Sequence, residues 1–259
     1  MRDVNERFPV RALARCAALT GLLSTLACAG VPRAPWRGPA VPEAAWSPRL
    51  ADGTAVRIRP LPFGEERVAA TVDYVRERCE AQVAAVPESI FFSPRMVVVH
   101  WTAIPTRRAT WEAFAPATLG ADRPDIVKAG RLNVSAHFLV DRDGAIVRLM
   151  PETWMARHCV GLNHLAIGVE NVGDGAAQPL TDAQLAADVA LVRDLKRRFP
   201  GITHLIGHHE YRAFEGHPFY SEREPAERPP QEDPGPAFMR AVRAEVADLE
   251  LEGPPAAPS

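Results

Sequence analysis

The chain has 259 residues, of which 47% are hydrophobic and 24% charged, with a formal net charge of −2. That balance excludes a disordered polyelectrolyte, supports a packed core, and lacks the clustered basic excess of a nucleic-acid binder. Its 25 prolines gather near the two ends, which suggests a compact middle with irregular flanks.

The first residues set Arg2, Arg7, Arg11 and Arg15 against only Asp3 and Glu6, and an apolar run follows over residues 17–29. A basic stretch followed by a short apolar one is the pattern of a secretory leader, and the run is shorter than the roughly 20 residues of a spanning helix. Two cleavage patterns overlap at its end. Ala27-Cys28-Ala29 offers small residues for ordinary processing, and Leu26-Ala27-Cys28 resembles a bacterial lipobox with Thr25 in place of a larger aliphatic residue. We favour the second, with residues 1–28 as a lipoprotein-type leader, a lipid on Cys28 and an exported, envelope-anchored protein, periplasmic or on the outer membrane. Cys79 and Cys159 then remain in the folded part, either as a disulfide of an oxidising compartment or as buried thiols.

Residues 29–48, rich in Pro, Ala and Trp, read as a tether. Residues 49–89 form an N-terminal extension, with a short strand near Val56 and Ile58 and a helix over 65–85 whose Val68, Val72, Val75 and Cys79 fall at helical spacing. Met96-Val97-Val98-Val99-His100 is a continuous apolar run ending in a histidine, the mark of a strand buried on both faces. A helix is expected over 105–115, a hairpin over 136–150 turning at Asp141-Arg142-Asp143-Gly144, and another buried strand over 166–172. Thr181 and Gln184 form a capping-box pattern for a helix reaching Arg198. A strand over 202–207, a long loop over 211–232, a last helix over 236–251 and a disordered tail over 252–259 complete the chain. Strands, helices and a central hairpin together predict an α/β domain with a mixed β-sheet flanked by helices.

Histidines close two of the expected strands, His100 and His208, and Asp233 lies in the rigid turn Asp233-Pro234-Gly235-Pro236. Two histidines and a carboxylate suffice for a catalytic zinc, which takes three protein ligands and leaves a position open. Spacing alone is a weak signal, since a lone histidine is more often a hydrogen-bonded structural residue than a ligand.

The blocks gain meaning as an ordered set. Val97-Val98-Val99-His100-Trp101-Thr102-Ala103 resembles the first zinc-binding strand of the zinc-dependent N-acetylmuramoyl-L-alanine amidases, a superfamily shared with bacteriophage lysozyme amidases and peptidoglycan recognition proteins. Ser135 to Gly144 resembles that family's hairpin, and Gly161-Leu162-Asn163-His164 through Glu170-Asn171-Val172-Gly173 its active-site floor. Gly207-His208-His209-Glu210 and Asp233-Pro234-Gly235-Pro236 resemble its last two ligand segments. The resemblance implies an amidase-like catalytic domain over residues 90–251 that acts on peptidoglycan or muropeptides as a monomer. It implies a Zn2+ ion on His100, His208 and Asp233, with Glu170 as general base and then general acid. By the same carry-over, His158 faces the substrate or the transition state, His137 and Asn163 contact substrate, and His209 is structural.

Two departures stand out. Gln231 occupies a position where the family often has a lysine that stabilises the charged intermediate; Arg223 and Arg228 of the same loop are the candidates to substitute for it. The segment from His208 to Asp233 is also longer than in compact members, forming a flap whose Phe214, Phe219 and Tyr220 either line a binding groove or pack on the domain. The alternatives are a peptidoglycan-binding module without catalysis, which Gln231 favours, and a structural lipoprotein with core histidines. The intact ligand set and Glu170 favour the enzyme.

Overall fold

A computed structural model describes residues 47–79, 90–120, 130–223 and 230–256. The expected leader, Cys28, most of the tether, Arg228 and the last residues of the tail lie outside the described residues. In chain order the elements are β1 (Val56–Ile58), α1 (Glu65–Arg78), β2 (Met96–Trp101), α2 (Arg107–Phe114), β3 (Phe138–Val140), β4 (Ile146–Arg148), β5 (Ala166–Asn171), α3 (Asp182–Arg198), β6 (His204–Gly207), a 3-10 segment His208–Phe214, and α4 (Pro236–Glu245).

Six strands form one mixed sheet in the order β1-β4-β3-β5-β2-β6. Every neighbouring pair is parallel except the β3–β4 hairpin. The turn of that hairpin needs its glycine: Gly144 has φ of +79°, and a Cβ there would lie 2.6 Å from the carbonyl oxygen of Ala183.

The sheet's centre is the pairing of β2 with β5 over six residues, which sets His100 beside Glu170 at the carboxyl ends of both strands. Side chains alternate across these strands. Val97, Val99, Ile167 and Val169 face a core that α3 and α4 cover with Leu191, Leu195, Met239 and Val242. Met96, Val98 and Ala166 face a second cluster with Leu162, Ile206, Tyr211 and Phe214. Both faces are covered, which is why these strands read as unbroken apolar runs. The alternation also puts His100 on the second face, away from α3 and α4.

The capping box of α3 forms as expected: Thr181 accepts from the Gln184 amide and Gln184 Oε1 accepts from the Thr181 amide. The side chain of Gln184 also donates to the carbonyls of Val140 and Val172, tying α3 to β3 and the end of β5.

Several expectations change in detail. The extension is not peripheral: β1 is an edge strand of the same sheet, and α1 packs its Ala70, Tyr74 and Val75 into the core. Arg67 of α1 is buried too, because its guanidinium donates to the carbonyls of Phe114 and Pro116 that α2 leaves open at its C-terminus. The loop expected from residue 211 begins as 3-10 turns, and α4 ends at Glu245 with a further 3-10 turn at Ala247–Leu249. Glu252, expected in the tail, exchanges backbone hydrogen bonds with Thr203 and Leu205 along the free edge of β6. Cys79 and Cys159 are both buried as thiols and not joined in a disulfide. No helix among the described residues is long and apolar enough to cross a membrane.

Candidate active site

The ends of β2 and β6, together with the turn before α4, bring His100, His208 and Asp233 into one cluster whose nitrogen and oxygen donor atoms all lie within 4.8 Å of one another. Asp233 Oδ2 is 3.0 Å from Nδ1 of His100, and both carboxylate oxygens are 3.1 Å from Nδ1 of His208. Ligands bonded at about 2.0–2.1 Å to one tetrahedral zinc lie about 3.3 Å apart, so these atoms are spaced close to what one ion requires. His209 steadies the third member: its backbone amide and its Nδ1 both meet the Asp233 carbonyl, at 2.8 and 3.0 Å.

The hydrogen-bond chain behind His100 fixes its tautomer. His158 Nε2 is 3.2 Å from the Ala166 carbonyl oxygen, which can only accept, so that nitrogen carries a proton. Burial holds His158 well below its ordinary pKa, so its ring is neutral. His158 Nδ1 is then a bare acceptor, and the His100 Nε2–H, 3.1 Å away, donates to it. Nδ1 of His100 faces the Asp233 carboxylate 3.0 Å away, a spacing at which the two atoms share a proton or a metal ion. The donor set of two imidazoles and a carboxylate suits zinc.

Glu170 shares this strand-end region through its register with His100. Its Oε2 is buried and has no hydrogen-bond partner. Burial raises its pKa well above the usual carboxylate value, and the Asp233 charge adds to the rise. A carboxyl group that holds a proton this readily beside a cation site is suited to receive and return one.

Three residues expected at the substrate are engaged elsewhere. Both ring nitrogens of His158 are occupied by His100 and Ala166. His137 is fully enclosed; its Nε2 donates to the Trp154 carbonyl and its Nδ1 accepts the Gly168 amide. Asn163 is buried, with Oδ1 accepting the amides of His158 and Cys159 and Nδ2 donating to the Tyr74 hydroxyl. Each of these polar groups is engaged with internal partners.

Gln231, two residues before Asp233 in the chain, lines an open groove of about 630 Å3 with Trp101, His209, Pro234 and Phe238, a lining that includes none of His100, Glu170, His208 and Asp233. Arg223, considered as a replacement for the missing lysine, is drawn to the C-terminus of α1, where its side chain donates to the Arg76 carbonyl and its amide to that of Arg78. Of the flap aromatics, Phe214 is fully buried and Phe219 and Tyr220 pack against the same cluster; a Cβ on Gly161 would lie 2.2 Å from the Tyr220 ring. They pack on the domain, the second of the two expectations. Sequence reasoning missed Tyr74 altogether, since a tyrosine on an amphipathic helix carries no mark of a link to a site.

Residues 91–236 match the N-acetylmuramoyl-L-alanine amidase family, a span that holds His100, Glu170, His208 and Asp233. The chain is 31% identical over 158 residues to the 1,6-anhydro-N-acetylmuramyl-L-alanine amidase AmpD of Enterobacter cloacae, covering 56% of this chain and 76% of that protein. It is 31% identical over 128 residues to the AmpD of Salmonella typhimurium strain SL1344, covering 44% of this chain and 68% of the relative. Among solved structures, a selenomethionine AmpD derivative is similar at a TM-score of 0.42 and 23% identity, covering 72% of this chain and 93% of that one. The amidase LysC of Clostridium intestinale URNW is similar at a TM-score of 0.40 and 24% identity, over 61% and 89% of the two chains. The match over more than half of the chain shows that this protein belongs to the N-acetylmuramoyl-L-alanine amidase family.

Proposed function

We propose that the protein is a zinc-dependent amidase that hydrolyses the amide bond between the lactyl group of N-acetylmuramic acid and the L-alanine of the stem peptide. The observation that carries the metal is the cluster of His100, His208 and Asp233, whose donor atoms all lie within 4.8 Å of one another. A zinc ion held by these three residues would supply Lewis acidity toward the scissile carbonyl and the attacking water. Glu170 takes the proton of that water and returns it to the amine of the departing alanine, for which its raised pKa and unpartnered Oε2 suit it. Gln231, two residues before Asp233 in the chain, can offer a neutral donor to charge developing on the carbonyl oxygen. The AmpD relatives of Enterobacter cloacae and Salmonella typhimurium are 1,6-anhydro-N-acetylmuramyl-L-alanine amidases, which supports a muropeptide substrate with this bond.

The test is digestion of defined muropeptides, reducing and 1,6-anhydro, with products identified by mass. Free stem peptide together with an intact lactyl-bearing amino sugar supports the reading. Binding of the muropeptide with no product at any zinc concentration would show a binding module and sink it.

A further inference from the structure

Within the zinc reading, on which this inference rests, we propose that His158 is a positioning residue for the metal ligand His100, and that Tyr74 of α1 holds it in place through Asn163. The chain of contacts is continuous. The Tyr74 hydroxyl accepts from Asn163 Nδ2 at 3.0 Å, and Asn163 Oδ1 accepts the backbone amides of His158 and Cys159 at 2.9 and 2.8 Å. That fixes the backbone from which the His158 ring projects. The ring itself is seated on Gly168, where any Cβ would lie 2.7 Å from it, so this position on β5 must be glycine for the ring to lie flat against the strand. From that seat Nε2 reaches the Ala166 carbonyl at 3.2 Å and Nδ1 meets His100 Nε2 at 3.1 Å.

The consequence for His100 is both orientation and electronics. A ligand imidazole whose far nitrogen donates a hydrogen bond is held in one tautomer and one ring plane, and its ligating nitrogen becomes more basic. Among the described residues, His158 is the hydrogen-bond partner of His100 Nε2, and it is placed to do this. Tyr74 lies on a helix that ends before the family's matched span begins at residue 91. The extension therefore contributes to the site at one remove, and this chain's α1 is part of its metal-binding apparatus.

The experiment measures zinc affinity of the full chain by competition with a chromophoric chelator, beside the melting temperature of the zinc-free protein. His158→Leu is expected to weaken zinc binding by about 10- to 100-fold, the usual cost of losing such a partner. His158→Gln, which keeps an acceptor and a donor on the side chain, is expected to recover most of that loss. Tyr74→Phe removes one hydroxyl and is expected to weaken zinc roughly 2- to 10-fold, the range of one neutral hydrogen bond. At saturating zinc all three variants should keep KM near that of the unaltered protein. Zinc affinity unchanged in His158→Leu, with KM raised instead, would overturn the proposal and return His158 to the substrate. If His158→Leu fails to fold, Tyr74→Phe decides: unchanged zinc affinity there overturns the link to α1. An unaltered protein that binds no zinc refutes the zinc reading itself, a result distinct from any of these.

Discussion

Replacing Glu170 by glutamine separates what the residue does for catalysis from what it costs the fold. The substitution keeps the shape of the side chain and removes its ability to carry a proton between water and leaving group. General acid–base groups contribute about 10²–10⁴ in rate, so kcat of Glu170→Gln should fall by that factor with zinc still bound. Stability should move the other way. Oε2 is buried without a partner and burial raises the pKa above its ordinary 4.5. An acid shifted upward stabilises the fold fully below its unfolded pKa, and that stabilisation is lost as pH rises toward the folded pKa. The zinc-free protein therefore carries a penalty at neutral pH that the glutamine removes. Glutamine leaves the same position unpartnered but uncharged, and a buried unpartnered group costs more charged than neutral, by about 1 kcal/mol or more; in a domain of this size each kcal/mol shifts Tm by about 2–4 °C. Glu170→Gln should thus melt at least about 2 °C higher than the unaltered zinc-free protein at pH 8, with the gain shrinking toward pH 4. Calorimetry across that pH range and turnover of a defined muropeptide are the assays. A variant that keeps more than a tenth of the activity would refute Glu170 as the proton carrier. A variant that melts lower at pH 8 would refute the account of its burial.

Two further outcomes follow from the same structure. Gln231→Lys restores a charged donor two residues before Asp233 in the chain, and kcat/KM should be equal or higher; a tenfold loss would mean that the glutamine makes a contact of its own. Asp188, buried in α3 against Asn171, has its pKa raised from 3.8 to about 7 by burial, only partly offset by the Asn171 hydrogen bond. Asp188→Asn should therefore stabilise the zinc-free protein at pH 8 relative to pH 4. The upper bound is roughly 4 kcal/mol, from about three pH units at about 1.4 kcal/mol each; equal stability differences at the two pH values would show that Asp188 ionises at its ordinary pKa.

The parts of the site visible in the sequence are those fixed by local pattern. His100 and Glu170 end apolar runs that could only be central strands, and parallel pairing of those strands then sets the two residues side by side. The box of Thr181 and Gln184 was legible for the same reason, because its partners lie three residues apart. His158 and Asn163 were placed near the site, but their internal partners were not legible. Their partners, Ala166, Tyr74 and the far side of the His100 ring, depend on which face of a loop packs inward. That choice is made by α1, whose burial turns on Arg67 finding open carbonyls at the end of α2. The apolar stripe through Val68 and Val72 gave no hint that a charged residue would anchor the helix. The short strand at Val56–Ile58 was legible from its alternation, but not its place in the sheet, which pairing with β4 supplies.

The central claim is that one metal ion on His100, His208 and Asp233 makes this chain an amidase. The most direct measurement is titration of zinc into metal-free protein while release of stem peptide from a defined muropeptide is followed. The account predicts no release without metal and a linear rise that saturates at one zinc per chain, abolished by Asp233→Ala. Full release from protein shown to contain no metal, or release that ignores Asp233→Ala, would contradict it.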